Sequence, residues 1–116
     1  MKTRFILKGV LFGIVPMVAA FSAAAAEGVD ADAAIKIARS EHCLRCHGVT
    51  KKKEGPPYKV IAAFYKSNPD AEQVIYEHIT TGAMVKLTDG HKESHKAVLD
   101  KSPEQIKNLV RWILAQ

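Results

Sequence analysis

Cys43-Leu44-Arg45-Cys46-His47 is the stretch on which the reading of this chain turns. On one helical turn, residues i, i+3 and i+4 share a face, so the two thiols and the imidazole are presented together to a single flat object. These are the only two cysteines in 116 residues, too few for a disulfide-dense scaffold or for the four thiolates of an iron–sulfur cluster. They act as one pair. A chain of this length is one domain's worth of sequence, and 47% hydrophobic with 25% charged residues is the composition of a folded globular unit, not of a disordered or collagen-like chain.

C-x-x-C-H is the attachment signature of a c-type haem, in which the thiols bond to the vinyl groups and the imidazole Nε2 binds the iron. Three rival readings use the same residues. A thioredoxin-like pair needs a βαβ setting, which is missing here, and has no use for the adjacent histidine. A zinc site requires a fourth clustered ligand, which one of the other histidines could supply. A plain disulfide between Cys43 and Cys46 is the simplest of the three. The signature and a helical remainder favour one covalently bound haem c.

Upstream of the motif, Lys2, Arg4 and Lys8 precede an apolar run from Gly9 to Phe21 that ends in Ser22 and four alanines. This reads as a secretory signal peptide over residues 1–26, with Ala24 and Ala26 meeting the small-residue rule and Glu27 as the new N-terminus. The run is shorter than the ~20 residues a spanning helix needs. The expectation is an exported, periplasmic protein with no stable membrane association. Three of the 17 basic residues leave with the leader while all 12 acidic ones stay, so the mature chain carries a formal +2. That balance, without an Arg-rich helix, excludes nucleic acid as a partner. Lys51, Lys52 and Lys53 form the one dense basic run, either a solvated loop or a docking patch for an acidic protein.

Downstream and around the motif the chain reads as four short helices without a persuasive strand. Asp30 can cap a helix from Ala31 to about His42. Gly55, Pro56 and Pro57 forbid a helix after the motif, and Tyr58 to Tyr65 then carries an apolar stripe. Asp70 to Thr81 is a third helix, with Gly82 in the position of a left-handed cap. Residues 83–101 are polar and read as a long loop. Ser102, Pro103 and Gln105 supply an N-cap, a first-position proline and a capping-box partner for the last helix, where Ile106, Leu109, Val110 and Ile113 repeat on one face. So small a core with such long loops gains most from a large buried cofactor.

In this order of elements the sequence resembles the class I c-type cytochromes over nearly all of residues 30–116. Gly55-Pro56-Pro57-Tyr58-Lys59-Val60-Ile61-Ala62-Ala63 is similar to the family's Gly-Pro segment and following helix, and Leu109-Val110-Arg111-Trp112-Ile113-Leu114 to the end of its last helix. The resemblance implies an all-α cytochrome c fold over residues 27–116, packed around one haem. It also implies that the Pro56 carbonyl receives the second nitrogen of His47, fixing its tautomer, that the first and last helices cross, and that Tyr58 and Trp112 are pocket or core aromatics.

The sixth iron ligand is where the sequence departs from that family, which usually draws a methionine from the loop before the last helix. No Met-Pro pair occurs, and Met84 stands 18 residues before Ser102 but only two after Gly82. His95 stands seven before Ser102. His95 is therefore the first choice of distal ligand and Met84 the alternative, with His91, a vacant site or a ligand switch behind them. His91, His42 and His78 read as surface or haem-edge residues. Imidazole in place of a thioether lowers the potential.

The expected function is a monomeric, monohaem one-electron carrier between redox proteins, with no catalytic residues of its own. Two protein ligands leave the iron no open position for substrate chemistry. Two other classes remain in play: a permanent cytochrome subunit of a periplasmic oxidoreductase, and a haem-based ligand sensor should the sixth ligand be labile. Donor, acceptor and pathway are not written in the sequence.

Overall fold

The computed structural model describes residues 28–116, so the leader and its cleavage site lie outside the described residues. Five helices and one small hairpin follow in the order α1 (Ala31–Ser40), α2 (Cys43–Cys46), α3 (Tyr58–Tyr65), α4 (Ala71–Thr81), β1 (Met84–Lys86), β2 (Lys92–Ser94) and α5 (Pro103–Leu114). The fold is the mostly helical one expected.

Local chemistry sets the helix ends. The Asp30 side chain accepts from the Ala33 amide, and Ser102 and Gln105 close a reciprocal capping box at the start of α5. Gly82, at φ +67°, takes the left-handed cap of α4. α5 is the organising element, packing on α1, α3 and α4. Its Leu109 and Val110 are wholly enclosed, and Ala34 and Ala38, with no exposed surface, let α1 approach closely. Polar staples fix the crossings. Asn108 donates to the Asp30 carbonyl at 2.8 Å and accepts from the Asp30 amide at 2.9 Å, while Arg111 Nε reaches the Glu72 carboxylate at 3.1 Å. Trp112 stands edge-on to Tyr58, ring centroids 5.4 Å apart.

Two local expectations are corrected. The first helix stops at Ser40 and does not run on to His42, because His42 adopts φ +59° and turns the chain into the motif. The stretch expected to be a long loop contains an antiparallel hairpin, with Met84 opposite Ser94, Val85 opposite Glu93 and Lys86 opposite Lys92. Gly90, at φ +93°, makes the turn between its strands.

Candidate functional site

One wall of the main cavity is built from the motif and the loop behind it. α2 is a single turn carrying Cys43 and Cys46 on the side of His47, whose amide donates to the Cys43 carbonyl at 2.9 Å. The following loop is held by its backbone. Gly55 N–H donates to the Cys46 carbonyl at 2.8 Å, and Tyr58 N–H to the Gly48 carbonyl at 2.9 Å. Lys51, Lys52 and Lys53 are all exposed, and Lys53 Nζ donates to the Leu44 carbonyl at 2.5 Å, bracing the attachment turn. The His47 Nδ1 lies 2.7 Å from the Pro56 carbonyl. A carbonyl only accepts, so Nδ1 carries the proton and Nε2 is left with its lone pair. The ring stacks on Tyr58 at 5.4 Å and 13°. Gly55 makes the approach possible, since a Cβ there would fall 2.6 Å from His47 Cε1.

The opposite wall is the hairpin and the segment after it. His95 N–H donates to the Ala83 carbonyl and Val98 N–H to that of Ile79, both at 2.8 Å. These bonds bring His95 back over the cavity. Its Nδ1 donates to the Lys96 carbonyl at 2.9 Å, which again frees Nε2. The rings of His47 and His95 are tilted at 44° with centroids 5.9 Å apart. Two imidazoles binding one ion end-on, at about 2.0 Å per metal–nitrogen bond, need a separation close to this.

Met84 is not brought to that place. The residue is 63% exposed, touched by the Ser94 hydroxyl, and absent from the cavity wall, which takes Val85 and Lys86 from the same strand. His91 sits in the hairpin turn, bound to Asp89 and facing Glu93. His42 stands at the cavity rim. His78, expected on a polar surface, instead lines the cavity with its ring 4.8 Å from that of His95.

The cavity, about 870 Å³, is floored by Ile61, Ile75, Ile79, Val98, Leu109 and Ile113 and opens to solvent on one side. Burial pushes the Cys43 thiol up from its ordinary range. Catalytic redox cysteines are shifted the other way, so the cavity is a poor thioredoxin-type site. Among the described residues no cluster of three or more His, Cys, Asp or Glu side chains could hold a metal ion unaided, which also disfavours zinc. Burial, and then the nearby His78, hold His95 below its usual range, keeping it in the neutral form that binds metals. Burial pushes the Tyr58 hydroxyl up, the neighbouring Cys43 adding to the shift. An apolar cleft with two thiols on one turn and two imidazoles facing across it fits a large planar metal cofactor.

The comparisons agree. The cytochrome c family profile matches residues 31–116. The class 1 cytochrome MtoD of Sideroxydans lithotrophicus ES-1 has a similar structure, with a TM-score of 0.75 and 49% identity over 76% of this chain and 97% of that one. The cytochrome c552 of Nitrosomonas europaea aligns at a TM-score of 0.56 and 30% identity, covering 69% of this chain and 95% of its own. No curated protein sequence matches significantly. With its Cys43-x-x-Cys46-His47 motif seated in the cleft that such a cofactor requires, the chain belongs to the cytochrome c family and is a class I cytochrome binding covalent haem c.

Proposed function

We propose that this protein is an exported, periplasmic one-electron carrier whose haem is joined through Cys43 and Cys46 and held on the iron by His47 and His95. The haem supplies the Fe(III)/Fe(II) couple. The observation that carries the reading is the pair of imidazoles facing across the cavity, each with Nδ1 tied to a backbone carbonyl and Nε2 free. Each carbonyl fixes one tautomer and one ring orientation. With His47 and His95 both holding the iron, the site would transfer electrons and offer no place to bind a substrate. The apolar floor keeps water away from most of the pocket.

Around this centre the rest of the chain has supporting roles. Residues 1–26 serve as the cleaved leader and residues 27–116 as the functional domain. No helix among the described residues is long and apolar enough to cross a membrane. Lys51 and Lys52 are left to steer an acidic redox partner, now that Lys53 is engaged with the attachment turn.

The test is the electron paramagnetic resonance and far-red absorption of the ferric protein beside a His95→Ala variant. The expected wild-type signal is low-spin and bis-imidazole, without a methionine–iron charge-transfer band. The variant is expected to become high-spin and to bind carbon monoxide when reduced. A methionine band that survives the substitution would move the distal ligand to Met84 and leave the carrier role standing. Ready carbon monoxide binding by the wild type would point instead to a sensor.

A further inference from the structure

We infer that Glu41 is the latch of the distal segment, its carboxylate holding residues 95–101 against the end of α1 by pairing with Lys96 and Lys101. The inference builds on the reading of His95 as the distal ligand, since a latch beside His95 keeps that ligand in place.

Glu41 is the buried charged residue among the described residues, 8% exposed, at the C-cap of α1 and two positions before Cys43. A carboxylate in such a place is costly unless it is paired. Its partners come from the far end of the chain. Lys101 Nζ lies 2.9 Å from one oxygen and Lys96 Nζ 3.3 Å from the other. Lys96 Nζ also donates to the Glu41 backbone carbonyl at 3.0 Å. That ammonium therefore sits at the negative end of the α1 dipole as well.

Lys96 has two tasks. Its carbonyl orients the His95 ring, and its ammonium ties the same residue to the start of the haem-attachment turn. Lys101 also pairs with Asp100 at 2.9 Å, but Asp100 is 72% exposed, so water weakens that contact. Apart from the latch, the segment is anchored by the Val98 side chain and by the two amide bonds of His95 and Val98. Loss of the carboxylate leaves Lys96 with only the Glu41 carbonyl and Lys101 with only the exposed Asp100, and frees the segment to lift. External ligands would then compete with His95.

The experiment uses the haem-loaded protein. Cyanide association with the ferric form, at saturating cyanide, reads how often the segment opens, and amide exchange of Val98 in the ferrous form reads the same motion without reference to the iron. Glu41→Ala should accelerate both by roughly tenfold or more, with Glu41→Asp between it and the wild type. Asn108→Ala, which loosens the α1–α5 crossing away from this segment, should leave both within about twofold of wild type at a comparable loss of Tm. Wild-type Val98 exchange in Glu41→Ala, or equal acceleration in Asn108→Ala, overturns the latch. Faster Val98 exchange with unchanged cyanide binding upholds the latch and overturns His95 as the ligand it protects. Should Glu41→Ala fail to load haem, Lys101→Met removes one partner of the pair and is read the same way.

Discussion

His47 is oriented by a carbonyl nine residues away in a proline-stiffened loop, whereas His95 is oriented by the carbonyl of its own neighbour, Lys96. The wall carrying His47 is closed by main-chain bonds between the attachment turn, the loop and α3. That carrying His95 is a hairpin with few buried residues, tied down by two amides and an ion-paired carboxylate. The same imidazole geometry is thus reached once by a rigid frame and once by a fastened strap. Rigidity belongs where covalent attachment demands register. A strap suffices where, on the proposed reading, one coordinate bond is all that His95 has to make.

The largest expected effect falls on the rigid wall. Replacing both Cys43 and Cys46 by alanine should abolish covalent attachment, so that haem separates from the denatured polypeptide on a gel, while the His95 wall is left unaltered. Haem that stays with the denatured chain would mean that another residue bonds it. Next comes Gly55→Ala, whose added Cβ meets the His47 ring. The ring is pinned between Tyr58 and the Pro56 carbonyl, so the cost should be about 1–3 kcal/mol in denaturant unfolding, with a perturbed proximal spectrum. A neutral result would show that the frame yields.

The third effect is a gain. His42 holds a left-handed backbone at the entrance to the attachment turn, and glycine adopts it without the ~1 kcal/mol that a Cβ costs there. His42→Gly should raise stability by about that amount in denaturant unfolding, and a loss would show that the rim imidazole makes a contact of its own. The smallest effect concerns the strap. Hydrogen bonds and charge from Asp89 and Glu93 push His91 up from its ordinary pKa near 6.5, and His91 holds Asp89 below the usual carboxylate range. The contribution of His91 is therefore complete below its unfolded pKa and fades as pH rises through its higher folded value. Protection of the Leu87 amide, which bonds to the His91 carbonyl, should fall slightly over that window once exchange is corrected for base catalysis, and His91→Ala should flatten the dependence.

The rigid wall was far more legible in the sequence than the strap. Its motif, its Gly-Pro turn and the two helices flanking it depend on residue types with fixed local consequences, and α5 announced itself through Ser102, Pro103 and Gln105. The hairpin did not. Its strands are three residues each, Met84-Val85-Lys86 and Lys92-Glu93-Ser94, with no buried face to create an alternation. His78 reads as a surface residue because it lies on the polar side of α4, yet it lines the cavity. Its position three residues after Ile75 puts it at the edge of the apolar stripe, and that edge borders the cavity. The role of Glu41 rests on lysines 55 and 60 positions away, a separation at which local pattern carries no information.

The dominance of α5 in the core has a consequence for the order of assembly. Ile106, Leu109, Val110, Trp112 and Ile113 are among the buried residues, and α1, α3 and α4 all pack on this one helix. Synthesis runs from the N-terminus, so Cys43, Cys46 and His47 are made some sixty residues before this helix begins. Until residues 103–114 arrive, the earlier helices have little to pack against and the motif remains accessible. The thiols are thus open to the cofactor for as long as the final helix is undocked, and its docking is what closes the core.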